Sequence, residues 1–235
     1  MEEITDLIHY YLTVMSKTMQ LQQLFSKWQQ NWPAGERFYE DGIINEDLYE
    51  TMPTDKKLLF IAKEPNASNH SEIEGVMSFV KEWSSDTPPG YPFALRIAEW
   101  ATGIISDFPD FDSVHESRMG NLKKIAFMNV KKIGGSGVAE NLKIHDFATR
   151  YSANIQEQIG IIAPDIIVLS ISFDKKIRAL LFPGANWKSS GYSTDVALWN
   201  NTRIIDFYHP SSRNAPAASY ALLKAVCTSK TFKEL

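Results

Sequence analysis

Residues 57–62 read KLLFIA, a short apolar run that predicts a buried β-strand. Three further runs of similar length and predominantly apolar character follow: IAFMNV at 125–130, IIVLSI at 166–171 and RIIDF at 203–207. Apolar residues at consecutive rather than alternate positions are typical of strands that are buried on both faces of a parallel sheet. The sequence therefore predicts a central, mainly parallel sheet of four strands.

Segments with a helical spacing of apolar residues lie between these strands, at 73–80, 94–101, 147–162, 177–181 and 217–226. Strands that alternate with helices predict an α/β domain in which helices cover both faces of the sheet, a three-layer α/β/α arrangement. Residues 2–30 also show helical spacing, and an acidic stretch over 36–55 joins them to the first strand. We therefore expect an N-terminal helical extension and acidic connector over residues 1–56, and one compact α/β domain over 57–235.

The composition excludes some classes of protein. With 44% hydrophobic and 12% aromatic residues among 235, the chain can bury a sizeable core, which excludes intrinsic disorder. The formal net charge of −4 argues against a simple polybasic nucleic-acid binder. The charge is uneven, because residues 1–117 carry 8 Lys and Arg against 20 Asp and Glu, whereas residues 118–235 carry 16 against 8. Either the basic half faces a polyanion, or the acidic half is simply a solvated helical face.

Export, membrane insertion and metal binding find no support in the sequence. The first residues, MEEITD, are acidic where a signal peptide is basic, and no apolar run approaches the ~20 residues of a transmembrane helix. The single cysteine, Cys227, cannot form an intrachain disulfide, and the five histidines are scattered along the chain. We therefore expect a monomeric cytoplasmic protein without a metal or a cofactor.

Three chemically distinct side chains stand at the ends of predicted strands. Glu64 follows the first strand, Asn129 lies near the end of the second, and His209 follows the fourth. Because ligands bind at the carboxyl ends of the strands in such a sheet, we expect the carboxylate, the carboxamide and the imidazole to meet in one crevice. Such a set of groups can cleave a bond to a planar leaving group that forms hydrogen bonds.

These residues stand in motifs that resemble those of the uracil-DNA glycosylase superfamily. Ala62-Lys63-Glu64-Pro65 is similar to the family's Gly-x-(Asp or Asn)-Pro, and Asn129 matches a central strand that ends in Asn. His209-Pro210-Ser211 matches the family's His-Pro-Ser, and its continuation, Ser212-Arg213-Asn214, is most similar to the single-strand-selective monofunctional branch. The resemblance runs from about residue 57 to residue 218 and implies a uracil-DNA glycosylase-like fold.

The resemblance implies that the chain flips uracil or a related damaged base out of DNA and hydrolyses its N-glycosidic bond by water attack. Glu64 would stabilise the cationic sugar and orient water, and His209 would donate a hydrogen bond to the uracil O2 as negative charge develops there. Asn129 would read the edge of the base. Each residue also has a purely structural interpretation: a surface glutamate in a turn, a histidine that caps a turn, and an asparagine that closes a strand–loop junction.

Further residues would bind the base or the DNA. The resemblance implies an aromatic residue stacked on the flipped base, for which Phe93 is the first candidate and Tyr91 the second, although Phe93 would suit the core equally well. Asn66 stands where some family members carry a bulky aromatic residue that rejects thymine. The expected DNA contacts are Lys131, Lys132, Ser136, Ser211, Ser212, Arg213 and Asn214. The expected partner is DNA, single- or double-stranded, that contains a modified base.

The first motif departs from the family pattern, with Ala62 in place of Gly, Glu64 in place of Asp or Asn, and Asn66 in place of Gly or Tyr. An alternative is therefore a superfamily member that has lost excision activity and binds a nucleic acid or a nucleotide without chemistry. A third hypothesis, a hydrolase that uses Ser211 as its nucleophile, lacks a supporting His–Asp pattern.

Overall fold

A computed structural model of the chain describes residues 15–66, 78–87, 89–135 and 140–235. Within these ranges the chain forms an α/β fold around one mixed sheet of seven strands. The strands are β1 (Gly42–Ile43), β2 (Leu58–Ala62), β3 (Ala126–Asn129), β4 (Ile166–Leu169), β5 (Lys188–Ser189), β6 (Asp195–Trp199) and β7 (Thr202–Asp206). Their order across the sheet is β1-β3-β2-β4-β7-β6-β5.

Helices connect and cover these strands. In the described part of the chain they are α1 (Lys17–Gln29), α2 (Glu46–Glu50), α3 (Phe79–Ser84), α4 (Pro92–Ile105), α5 (Phe111–Leu122), α6 (Asn141–Ile162), α7 (Lys175–Leu181), α8 (Pro216–Thr228) and α9 (Lys230–Lys233). The predicted helical patterns at 94–101, 147–162, 177–181 and 217–226 fall within α4, α6, α7 and α8. The pattern at 73–80 lies mostly outside the described residues, and α3 begins at its end.

The α/β class predicted from the sequence is confirmed, but the number of strands was wrong. The four predicted strands are β2, β3, β4 and β7, which pair in parallel with one another. The other three strands pair antiparallel: β1 with β3 at one side of the sheet, and β6 with β7 and β5 with β6 at the other. Two of these, β1 and β5, are only two residues long, so they leave no periodic signal in the sequence.

Each face of the sheet has its own hydrophobic core, because successive side chains of a strand point to opposite faces. In β2, for example, Leu59 and Ile61 pack with α1, α6 and α7, whereas Leu58 and Phe60 pack with α3, α4, α5, α8 and α9. All five residues of β2 are buried. This explains why the strand reads as a continuous apolar run.

The N-terminal segment shares the core of the α/β domain. Helix α1 buries Leu21, Phe25 and Trp28 in the same cluster as α6, and β1 extends the sheet by pairing with β3. Residues 1–14, where the predicted N-terminal helix begins, lie outside the described residues. The described part of the segment that we expected to be an extension, residues 15–56, is therefore packed against the predicted domain.

The connections place a ligand crevice at the carboxyl ends of β2 and β4. The chain leaves β2 through α3, α4 and α5 on one face to reach β3, whereas it leaves β4 through α7 on the opposite face. Neighbouring parallel strands whose connections leave in opposite directions define the topological switch point, where α/β sheets bind ligands. Among the described residues, no helix is long and apolar enough to cross a membrane.

A close approach of helices provides a test of the second core. A Cβ atom at Gly103 in α4 would lie 2.7 Å from the ring of Tyr220 in α8 and 2.8 Å from that of Phe108, so a side chain forces those rings apart. We expect Gly103→Ala to lower the free energy of unfolding by about 1–3 kcal/mol, measured by urea denaturation. Gly120→Ala is the matched control, because its Cβ would meet no atom within 4 Å, and it should instead stabilise α5 by about 0.5–1 kcal/mol. Equal stability of the two variants would contradict the packing described here.

Candidate functional site

A cavity of about 920 Å³ opens at the carboxyl ends of the four parallel strands. Its lining combines residues of β3 and residues that follow β2, β4 and β7 with aromatic residues at or near the starts of α3 and α4. Eight of the predicted site residues line it: Glu64, Asn66, Tyr91, Phe93, Asn129, His209, Ser211 and Ser212. The structure thus brings together the carboxylate, the carboxamide and the imidazole from three distant parts of the sequence.

Asn129 ends β3 and lines the cavity. Its backbone N–H donates to Oδ2 of Asp41 at 2.8 Å, and its backbone carbonyl accepts from Nζ of Lys132 at 2.8 Å. The residue is only 1% exposed, yet its side-chain Nδ2 has no hydrogen-bond partner among the described residues. Since a buried donor without a partner carries a desolvation cost, this amide is suited to a ligand acceptor that enters the cavity.

The backbone of Asn129 is held by a buried polar network. Asp41 accepts from Nζ of Lys132 at 2.6 Å and from Nε2 of Gln158 at 2.8 Å, in addition to Asn129. Both side chains of the Asp41–Lys132 ion pair are fully buried, and burial lowers the pKa of Lys132. The phosphate contact predicted for Lys132 is therefore wrong, because its ammonium group is enclosed by Asp41, Asn129 and the ring of Trp28.

Glu64 is fixed by a lysine and a glycine. Its Oε2 forms an ion pair with Nζ of Lys131 at 2.6 Å, and the two side chains are 8% and 9% exposed. Gly135 donates its backbone N–H to the carbonyl of Pro65 at 2.8 Å, and a Cβ at Gly135 would overlap the Glu64 carboxylate. Lys131 was predicted to contact a phosphate, but the structure directs its ammonium group to Glu64 instead.

His209 is a neutral hydrogen-bond donor in this cavity. Burial, reinforced by the positive charge of Lys63, lowers the pKa of His209 to about 4, so the imidazole is uncharged near neutral pH. The backbone N–H of Ser211 donates to Nδ1 at 3.2 Å. Because Nδ1 accepts, the single proton of the neutral ring resides on Nε2, which becomes the available donor.

Lys63 is a cavity residue that our reading of the sequence did not single out. It directly follows β2, lines the cavity, and donates from Nζ to Oδ1 of Asn141 at 3.1 Å. Burial lowers its pKa, while the charges of Asp174 and Glu64 act in the opposite direction. Its position between Ala62 and Glu64, inside the first motif, was a signal that could have identified it.

Aromatic residues form one wall of the cavity. The ring centroid of Phe93 lies 5.5 Å from that of His209 and 5.7 Å from that of Phe127. The ring centroids of Phe79 and Phe127 are 5.0 Å apart. Tyr91 accepts from Nε1 of Trp83 at 2.7 Å, and burial raises the pKa of its hydroxyl. This wall offers flat apolar surface beside the donor groups of the site.

The loop after His209 is divided between the cavity and the surface. Ser211 and Ser212 line the cavity, whereas Arg213 and Asn214 are exposed residues outside its lining. The carbonyl of Asn214 accepts from Nη2 of Arg96 at 3.2 Å, which anchors the loop to α4. Ser136, the remaining predicted DNA contact, lies outside the described residues.

Comparisons with known proteins do not assign the chain to a family. No protein-family model matches it, and no curated protein is significantly similar to it. In the described ranges, no group of three or more His, Cys, Asp or Glu residues is arranged to hold a metal ion.

The two causes of the low pKa of His209 can be separated by NMR titration of its imidazole. We expect a midpoint at about pH 4, compared with the usual 6.5. In Lys63→Met the midpoint should rise, because a nearby positive charge is removed, but it should stay below 6.5, because burial is the larger cause. Lys176→Met, at an exposed lysine of α7, is the control and should leave the midpoint unchanged. A midpoint near 6.5 in the unmodified protein would show that the ring is not buried as described.

Proposed function

We propose that this chain is a monofunctional DNA glycosylase-like hydrolase that cleaves the N-glycosidic bond of uracil or a related damaged base. The observation that carries the proposal is one cavity of about 920 Å³ that is lined by Asn129, His209, Phe93 and Glu64, where the buried Nδ2 of Asn129 has no hydrogen-bond partner among the described residues. Ligand cavities in proteins commonly have volumes of roughly 300–1,000 Å³, so this one has ample room for a flipped base. The motif order that resembles the uracil-DNA glycosylase superfamily supports the same reading.

In the proposed complex, the base lies against the ring of Phe93, where stacking contributes ~1–3 kcal/mol. The Nδ2 group of Asn129 donates to O4 of uracil, an acceptor that cytosine replaces with an amino group. The Nε2–H of His209 donates to O2, which gains negative charge as the glycosidic bond breaks. A neutral imidazole suffices, because the site requires a donor and not a proton transfer.

The proposed role of Glu64 is on the sugar side of the base. As the base departs, positive charge develops on the sugar, and a nearby carboxylate stabilises it and orients the attacking water. The ion pair with Lys131 fixes the Glu64 carboxylate in position. Glu64 still lines the cavity, so the ion pair does not shield it completely from a ligand. No bond to a protein side chain is needed: the base leaves as an anion with the electron pair of the glycosidic bond, water bonds to the anomeric carbon and releases a proton to solvent, and the free base takes up a proton from solvent.

The same ion pair favours a second candidate function, a superfamily fold that binds a nucleic acid or a nucleotide without excision. The ammonium group of Lys131, 2.6 Å from Glu64, offsets part of the negative charge that would stabilise the sugar cation. Gly135 packs against the other side of the carboxylate, which limits its movement towards a substrate. In this case Asn129, His209 and Phe93 would still bind a base.

Excision assays on oligonucleotides that contain uracil, hypoxanthine or xanthine separate the two functions. We expect abasic sites, detected by alkaline strand cleavage, and a loss of rate of at least about 100-fold in Glu64→Gln with binding retained. Glu140→Gln, which alters an exposed glutamate outside the cavity, is the matched control and should keep the full rate. Binding without any abasic product would support the second function, and equal rates for Glu64→Gln and the unmodified protein would remove Glu64 from the mechanism.

Base recognition is tested at Asn129. Asn129→Asp replaces the amide donor by a second acceptor, so we expect the preference for uracil over cytosine in binding to fall by about 5- to 150-fold. The preference is measured from the concentrations of free uracil and free cytosine that displace a fluorescent single-stranded oligonucleotide from the protein. Thermal unfolding checks that the variant folds. Asn200→Asp changes an exposed residue and should keep the preference. An unchanged preference in Asn129→Asp would count against the assigned role.

A further inference from the structure

A second pair of aromatic rings lines the cavity, separate from the wall that contains Phe93. Phe173 follows β4 and Tyr208 follows β7, and their rings pack edge to face with centroids 5.0 Å apart. Phe93 contacts His209 and Phe127, whereas Phe173 contacts Tyr208, so the cavity presents two distinct aromatic groups. Both Phe173 and Tyr208 are half-buried, which leaves part of each residue open to the cavity.

The backbone that carries Phe173 adopts an unusual conformation. Ser172 and Phe173 have φ angles of 60° and 58°, in the left-handed region that residues with a Cβ seldom occupy. The turn ends at Asp174, whose Oδ1 accepts the backbone N–H groups of Lys176 and Ile177 at 3.0 Å and so fixes the start of α7. Asp107–Phe108 and Asn200–Asn201 share this conformation without lining the cavity, so the backbone alone does not mark a ligand site; the position of Ser172 and Phe173 does. Ser172 and Phe173 both line the cavity.

The size and charge of the cavity fit a ligand longer than one base. A volume of about 920 Å³ lies near the upper end of the range for ligand sites, and a single pyrimidine on Phe93 leaves much of it unfilled. In the order of the sheet, β2 lies between β3, which ends at Asn129, and β4, which leads to Phe173. A ligand that reaches from Asn129 to Phe173 therefore crosses the end of β2, where the cationic Lys63 lines the cavity and can contact a phosphate.

We propose that Phe173 and Tyr208 form a second stacking subsite, which holds the base next to the one read by Asn129, with Lys63 beside the linking phosphate. The ligand is then a single-stranded segment of at least two nucleotides, because two neighbouring bases cannot both leave the stack while a duplex stays paired there. This inference rests on the proposed function only for the identity of the first base. Beyond the proposed function, the second subsite predicts a preference for single-stranded ligands and a contribution of the neighbouring base to affinity.

The test compares three single-stranded probes that contain 2′-fluoro-2′-deoxyuridine, whose glycosidic bond resists hydrolysis. The probes are the 5′-mononucleotide, a trinucleotide with thymines on both sides, and the same trinucleotide with abasic tetrahydrofuran residues in place of the thymines. In the unmodified protein, the thymine trinucleotide should bind more tightly than the abasic one. In Phe173→Ala, its affinity should fall by about 5- to 150-fold, while the affinities for the abasic trinucleotide and the mononucleotide stay within about twofold.

Two further variants control the measurement. Tyr192→Ala removes an exposed aromatic ring that does not line the cavity, and it should bind all three probes as the unmodified protein does. Phe173→Leu keeps an apolar side chain of similar size and should fold even if Phe173→Ala does not, yet it should lose most of the gain from the neighbouring thymines because it cannot stack.

The outcomes distinguish this inference from the proposed function. One outcome that overturns the second subsite is that the mononucleotide binds but the neighbouring thymines add no affinity. Another is that Phe173→Leu and Phe173→Ala weaken the binding of all three probes equally. In both cases the proposed function stands. If none of the probes binds to the unmodified protein and no base is excised, the proposed function itself is overturned.

Discussion

The site depends on one buried carboxylate, that of Asp41. It accepts hydrogen bonds from the backbone of Asn129, from Lys132 and from Gln158, and so ties the N-terminal segment, β3 and α6 together. Removing one partner of a buried ion pair typically costs about 3–5 kcal/mol, because the remaining charge stays buried without compensation. The same bonds fix the end of β3, which determines where the amide of Asn129 points. Fold stability and the geometry of the cavity are thus coupled through a residue outside every motif.

In the proposed function, the charges and donors of the cavity would favour a departing anion. His209 is kept neutral by burial and by the charge of Lys63, and it offers a donor without adding a second cation. Lys63 keeps a hydrogen bond to Asn141, and Lys131 is committed to Glu64. In the proposed function, the negative charge that forms on a leaving base would meet the Nε2–H donor of His209, and preorganised donors of this kind provide much of the stabilisation in enzyme sites.

The sequence predicted what depends on local pattern and missed what depends on tertiary contacts. Strands β2, β3 and β4 were found because they are almost entirely apolar and buried on both faces, and β7 was found from the apolar residues at its centre, although it also contains Thr202, Arg203 and Asp206. Strands β1 and β5 are too short for any pattern, and Lys131 and Lys132 were misassigned because a lysine after a strand reads as exposed until its partner is known. Asp41 lies in an acidic stretch where nothing local distinguishes it from surface carboxylates. Phe173 depends on a left-handed backbone at Ser172 and Phe173, which the sequence does not signal because neither residue is a glycine or an asparagine.

In the proposed function, the balance between Glu64 and Lys131 would determine whether the site hydrolyses its ligand or only binds it. Because the two charges of the ion pair are 2.6 Å apart, they largely cancel at any point far from both of them. The sugar would therefore be stabilised by the carboxylate only if it lies closer to the carboxylate than to the ammonium group. Glu64 lines the cavity and Lys131 does not, which places the negative end of the pair towards the substrate. Closure of the cavity around a nucleotide would expel water, and charges interact more strongly in a medium of low dielectric constant. The attraction between the sugar cation and the nearer carboxylate would then exceed its repulsion from the more distant ammonium group by a larger amount. The side chain of Glu64 is longer than the aspartate or asparagine of the motif that the sequence resembles, and Lys131 and Gly135 would compensate for this by holding its carboxylate in place.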